Sequence, residues 1–241
     1  MTEAGRRLAS VMEVLKSSVR PGVPTRALDT MAERLIRDQG CTPSFLNYAP
    51  HGSDKPFPFS ICVSVNSTVV HGLPSEYVVQ EGDLVKLDLG LAYKGWHSDM
   101  AVTVGAGEID SQKKKLIRAT EEALQAGIRA TRAGNTFGDI GAAVYETVEK
   151  YGFDVVRALT GHGIGRALHE DPYVFNYGRR GEGDKIKSGM VLALEPMVVT
   201  GSYKVRQLPD DSFVTADGSL AAHFEHTVAI TENGPRILTA T

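Results

Sequence analysis

Two aspartates, Asp88 and Asp99, bracket the stretch DLGLAYKGWHSD. If Lys94-Gly95 forms a two-residue turn, Tyr93 pairs with Trp96 and Asp88 with Ala101. Side chains alternate along strands, so Leu87, Leu89 and Leu91 then face one way and Asp88 the other. Asp99 becomes the same-face diagonal neighbour of Asp88, with backbones about 7–8 Å apart. Carboxylates converging from that distance repel, and a divalent metal between them removes the repulsion. Taken alone, the pair reads more readily as two aspartates on a solvated sheet face; the further candidate ligands shift that balance.

Further downstream, more candidate ligands occur in apolar surroundings. Glu195 follows the run Met190 to Leu194. A carboxylate buried there needs a partner or a proton, and Pro196 removes the next ladder donor. In HFEHTVAI, Glu225 lies on the opposite strand face from Phe224 and His226, and Val228-Ala229-Ile230 marks that strand as interior. TGHGIGRALHEDP sets His162 in what reads as a glycine-rich turn and places His169 further along. Four carboxylates and one imidazole make an oxygen-rich site suited to Mn²⁺, Fe²⁺, Co²⁺ or Zn²⁺, and four carboxylates can hold two ions by bridging. The HExxH zinc motif is absent, since His169-Glu170 is followed by Asp171-Pro172. Of the other histidines, His97 reads as structural, and His226 as turned away from Glu225 into a hydrogen bond. His223 shares the face of Glu225, and His51 reads as an exposed loop residue. Cys62 reads as a small buried residue.

Elements at helical or alternating spacing must carry these groups. Helices are expected over Gly5–Val19, Thr25–Gln39, Ser111–Arg132 and Phe137–Tyr151. Strands are expected over Ile61–Val65, Val69–Val70, Leu84–Ala92, His97–Val104, Asp154–Leu159, Met190–Val199 and His223–Ile230. An echo runs through the chain: Gly22 and Gly40 recur 112 residues later as Gly134 and Gly152. Leu28, Ala32 and Ile36 fall opposite Ile140, Val144 and Val148. Each half reads helix, helix, then strands, which suggests a duplication with a site between the halves.

Composition narrows the function class. The chain has 241 residues, 42% of them hydrophobic, and a formal charge of −3. No basic surface for nucleic acid is implied, no stretch approaches a membrane span, and no secretory leader is evident at the N-terminus. Two cysteines are too few for a disulfide framework and fit a reducing cytoplasm.

HGLP at 71–74, DLGLAYKGWHSD at 88–99, GHGIGRALHEDP at 161–172, LEPMV at 194–198 and FEHT at 224–227 together resemble type I methionine aminopeptidases. Order and spacing match across nearly the whole chain. The resemblance implies an α/β (α+β) pita-bread fold: two pseudo-twofold-related halves, a curved, mainly antiparallel sheet and helices on its outer face. One catalytic domain would span 1–241, with halves of roughly 1–108 and 109–241. It further implies that Asp88 chelates one of two divalent ions (Mn, Fe, Co or Zn), that Asp99 and Glu225 bridge both, and that His162 and Glu195 complete the ligand set of the second ion. His71 and His169 would contact substrate, His169 by donating to the peptide carbonyl oxygen, and Glu195 would also shuttle a proton. The implied activity is removal of the initiator methionine from new chains, with a small second residue preferred. The expected partners are peptide and nascent-chain N-termini, with the ribosome as a further candidate and no direct nucleic-acid or membrane partner. A cytoplasmic monomer is expected. Members often carry cysteine, an aromatic and tryptophan where this chain has Val70, Leu168 and the region of Ser212-Phe213, so the side-chain pocket is expected to differ in shape. Two alternatives stand beside this reading. Xaa-Pro peptidases of the same fold usually show Glu-Pro-Gly and Glu-Asp where this chain has Glu195-Pro196-Met197 and Glu225-His226. Inactive, protein-binding homologues lose ligands, and here all five positions are filled.

Overall fold

The computed structural model describes residues 1–49 and 55–240; His51 lies outside the described residues. Four helices form where helical periodicity places them: α1 (Thr2–Ser18), α2 (Thr25–Asp38), α3 (Ser111–Ala130) and α4 (Phe137–Lys150). α1 begins three residues earlier than its apolar pattern. The side chain of Asp110 caps α3 by accepting from the Lys113 amide at 2.9 Å, and Thr136 with Asp139 forms a capping box on α4.

The first-half strands are β1 (Thr42–Pro43), β2 (Cys62–Val65), β3 (Thr68–Val70), β4 (Leu84–Tyr93) and β5 (Trp96–Gly105). The second half supplies β6 (Asp154–Val155), β7 (Gly161–Gly163), β8 (Glu170–Val174), β9 (Val191–Leu194), β10 (Met197–Val199), β11 (Val205–Gln207), β12 (Phe213–Thr215), β13 (Ala221–His223), β14 (Glu225–Thr231) and β15 (Gly234–Ile237). A nine-stranded sheet runs β1-β4-β5-β14-β9-β7-β8, with β2 on β4 and β15 on β14. Two three-stranded sheets, β13-β10-β6 and β11-β12-β3, flank it. The pairings are antiparallel.

The hairpin register is the expected one. Lys94 and Gly95 both have positive φ, 52° and 73°, the two-residue turn that suits the twist of paired strands. Tyr93 therefore pairs with Trp96, and Asp88 with Ala101. One face of β4 carries Leu87, Leu89 and Leu91, all with no exposed surface, packed with Leu8, Met12 and Leu15 of α1. Each such side chain contributes about 1.5–3 kcal/mol of burial. The other face looks into the cleft.

Three expectations are corrected. Met190–Val199 is two strands in different sheets, parted at Glu195-Pro196. His223–Ile230 breaks at Phe224 for the same reason. At Glu195-Pro196 the chain leaves the large sheet for a small one, and at Phe224 it returns from that small sheet to the large one. Of Asp154–Leu159 only Asp154–Val155 pairs, against β10.

Lys86 is the largest fully buried side chain. Its ammonium donates to the carbonyls of Asn66 at 2.8 Å and Ala221 at 3.1 Å, tying the β2–β3 turn to β13, and burial brings its pKa down to about 7. Lys86→Met removes both bonds, although the Asn66 carbonyl keeps the Ala221 amide at 3.1 Å. Urea titration is expected to show a loss of about 1–3 kcal/mol with an unchanged m value; an unchanged midpoint would refute the assignment.

Candidate metal centre

The cleft face of the sheet is built from a row of short side chains flanked by acids. Ala101 of β5 pairs with Asp88 of β4 on one side and with Glu225 of β14 on the other. Asp99 lies two residues along β5, on the same face, opposite Gly90. A methyl group and a glycine leave the space between the three carboxylates open. Oxygens of Asp88, Asp99 and Glu225 lie within 4.8 Å of one another. Thr227 holds the junction of β5 and β14: its hydroxyl accepts the Asp99 amide at 2.9 Å and donates to the Asp99 carbonyl at 2.8 Å.

The second half brings His162 and Glu195 to the same place. His162 lies on strand β7, not in the expected turn, and pairs with Ala193 of β9. Its flanking glycines answer to the neighbouring strands: a Cβ on Gly161 would strike the Ala193 carbonyl oxygen, and one on Gly163 that of Asp171. The imidazole is thus set by close backbone packing. His162 Nδ1 lies 2.8 Å from the Gly163 carbonyl. A carbonyl only accepts, so Nδ1 carries the proton and Nε2 presents its lone pair. That nitrogen stands 3.5 Å from Glu195 Oε1. Glu195 leaves the sheet at Pro196, and the Asn176 side chain donates to its carbonyl at 3.0 Å. His162, Glu195 and Glu225 form a second cluster within 4.8 Å, and Asp99, His162 and His169 a third.

This donor set fits divalent ions. Burial first, and then the neighbouring carboxylates, push Asp88, Glu195 and Glu225 well above the usual carboxylate range. Burial raises Asp99 to about 7. Among the described residues, no lysine or arginine forms an ion pair with any of the four. Glu225 Oε1 and both ring nitrogens of the fully buried His223 lack hydrogen-bond partners, and His223 Nε2 lies 3.6 Å from Glu195 Oε2. Buried acceptors left unpaired around a shared centre are what a cation would satisfy.

A cavity of about 530 Å³ opens over this face. Phe45, Tyr48, Phe57, Leu168 and Cys62 form an apolar wall, and Gln207, Asp211 and Phe213 stand opposite. Leu168 and Phe213, two of the three positions expected to differ, line it; Val70 supports Phe213 from the neighbouring strand. His71 also lines the cavity. Its backbone is left-handed at φ 58°, a strained state for a non-glycine residue that surrounding structure must hold, and its ring meets that of Phe213 edge-on at 5.7 Å. Burial lowers the pKa of His71. His169 stands edge-on to His162 at 4.4 Å. Although the residue is exposed at the mouth of the cavity, desolvation of its ring, followed by the nearby histidines, lowers its pKa to about 3 and leaves it neutral.

All seven residues singled out from the sequence line this cavity. His97 and His226 do not. His97 Nδ1 bonds Ser44 Oγ at 2.8 Å, and His226 Nδ1 bonds Thr239 Oγ1 at 2.8 Å. Two contributors went unread. Tyr48 reaches His169 Nδ1 with its hydroxyl at 2.7 Å. Arg166 stacks over Trp96 at 3.8 Å, pinning the loop before His169 to the hairpin tip. Neither contact carries a local sequence signal.

Comparison with known proteins agrees with this geometry. A methionine aminopeptidase of Clostridium perfringens is 49% identical over 240 residues, which cover 99% of this chain and 94% of that one. The crystal structure of a methionine aminopeptidase from Thermotoga maritima superposes with a TM-score of 0.94 at 41% identity, covering 100% of this chain and 95% of that one. A prolidase from Pyrococcus furiosus, at TM-score 0.80 and 23% identity over 63% of its length, shares the fold alone. The profile of metallopeptidase family M24 matches residues 1–232, and with the sheet, the donor clusters and these relatives in agreement, the chain belongs to that family.

Proposed function

We propose that this chain removes the N-terminal methionine from peptides and nascent proteins by metal-assisted hydrolysis. The observation that carries this reading is the convergence of three donor clusters with two neutral histidines in one cavity that has an apolar wall. Asp88, Asp99, His162, Glu195 and Glu225 would hold two divalent ions of Mn, Fe, Co or Zn, Asp99 and Glu225 being shared. When bound, such ions neutralise the carboxylates and lower the pKa of a coordinated water toward neutrality.

The protein's own groups do the rest. The apolar wall of Phe45, Phe57, Leu168 and Cys62 takes the methionine side chain. His169 donates to the carbonyl oxygen as charge develops on it, and His71 bonds the scissile amide. Glu195 receives the proton released by attack and returns it to the leaving amine. Partners on this reading are the N-termini of peptides and of chains presented by the ribosome. The enzyme acts as a monomer in the cytoplasm, and no helix among the described residues is long and apolar enough to cross a membrane.

The test is hydrolysis of Met-Ala-Ser, Met-Leu-Ser and Ala-Pro-Ala by chelator-stripped protein with each ion restored singly. Methionine release from Met-Ala-Ser is expected, with Met-Leu-Ser about 10- to 200-fold slower. Release only ahead of proline would move the chain to the Xaa-Pro branch. Folded protein that binds the ions yet releases nothing would be a binding module.

A further inference from the structure

Tyr48 is the one polar side chain in the apolar wall that touches a proposed catalytic group. Its hydroxyl lies 2.7 Å from His169 Nδ1, and its ring meets the imidazole edge-on at 5.1 Å and 79°. The backbone holds it firmly: the Tyr48 amide donates to the Phe45 carbonyl at 2.9 Å, and the Phe57 amide donates to the Tyr48 carbonyl at 2.8 Å. His169 is also fixed from the other side by the edge of His162 at 4.4 Å. The ring thus has two aromatic neighbours, and its Nδ1 is committed to Tyr48, which leaves Nε2 for another partner.

A neutral imidazole carries its proton on one nitrogen, and the partner of the other decides which. A phenol hydroxyl is a good donor to an imidazole lone pair. If Tyr48 donates to Nδ1, His169 must carry its proton on Nε2. Only that tautomer can donate to a developing oxyanion; the other would present a lone pair to it and oppose the reaction.

We propose that Tyr48 is a positioning residue: its hydroxyl locks His169 into the Nε2–H tautomer and so makes His169 a donor toward the substrate carbonyl. The step moves no net proton and needs no co-reactant. The donor role of His169 rests on the functional reading above, whereas the tautomer itself does not, so the two can fail separately.

The experiment uses Zn²⁺-loaded protein with ¹⁵N-labelled histidine, which is diamagnetic, and the variant Tyr48→Phe, which keeps the ring contact and removes only the hydroxyl. In the parent, the His169 signals are expected to show a protonated Nε2 and an unprotonated Nδ1. In Tyr48→Phe the two forms should mix, kcat on Met-Ala-Ser should fall about 5- to 10-fold, and KM should hold. In a His169→Ala background, Tyr48→Phe should add no further loss. A parent protonated on Nδ1, or a variant with an unchanged tautomer, would overturn the proposal. So would an equal kcat loss in the His169→Ala background, since Tyr48 would then act by itself. If no peptide is hydrolysed at all, the nitrogen signals still decide the tautomer.

Discussion

Asp99→Ala is expected to lower kcat/KM for Met-Ala-Ser by at least about 10³-fold and to leave the protein folded. Asp99 belongs to two of the three donor clusters, so its loss weakens both proposed ion sites together, whereas loss of Asp88 touches one. Calorimetry with Co²⁺ should find fewer and weaker sites. The stability effect has the opposite sign when metal is absent. Asp99 is buried beside Asp88 and Glu225 and forms no ion pair with a lysine or arginine among the described residues, so Asp99→Asn, which keeps shape and removes charge, is expected to melt higher than the parent in chelator and lower with metal. A variant that retains activity, or that melts below the parent under both conditions, would remove Asp99 from the centre.

Chelation at pH 8 is expected to lower the melting temperature by about 8–16 °C relative to protein with metal at a thousandfold excess over Kd. At pH 5.5 the gap should shrink. The sign follows from linkage. Asp99 titrates at about 7 in the folded, metal-free chain, against 3.8 ordinarily, and Asp88, Glu195 and Glu225 are displaced upward too. A raised folded-state pKa means the native chain binds the extra protons. For Asp99 the linked stability is fully present below its unfolded-state value of about 4 and is lost as pH rises through about 7; the other three carboxylates act in the same direction. Metal competes with those same protons, so its affinity climbs over the same window and proton release accompanies binding. His162, His169 and His223 face the carboxylates with pKa values depressed by burial; the unfolded chain binds their protons below about 6.5, so they contribute the opposite slope, and the gap between metal-loaded and chelated protein, not the absolute melting temperature, reports the carboxylates. Equal melting with and without chelator at pH 8 would mean that the carboxylates hold no metal.

Where a local turn decides the pairing, the structure was legible in advance. Lys94-Gly95 dictates the β4–β5 register, and with it the placing of Asp88 and Asp99 on one face. Glu225 was readable from alternation alone, because Phe224 and His226 must point the other way. The breaks at Glu195-Pro196 and at Phe224 were not readable as changes of sheet, because strands of three or four residues carry too little periodicity to show which partner they choose. His162 read as a turn residue because its glycines look like turn glycines. They are there because carbonyls of β8 and β9 approach too closely for a side chain, a fact about residues 171 and 193. Tyr48 was invisible for the same reason: its partner lies 121 residues away, and nothing near it in sequence marks the contact.

β14 sits between β5 and β9 in the middle of the large sheet, yet residues 225–231 are made long after β5. The hairpin that carries Asp88 and Asp99 is complete at Gly105. The β5 edge that will receive Glu225 therefore waits for roughly 120 more residues, about 6–24 s at ordinary elongation rates. During that interval the exposed edge is a template for wrong pairings. The high contact order of this one insertion also makes it the slow step of folding. On the proposed function, a centre that includes Glu225 is incomplete until β14 has been inserted, so the chain would be unable to act on its own nascent N-terminus, or on any other, before then.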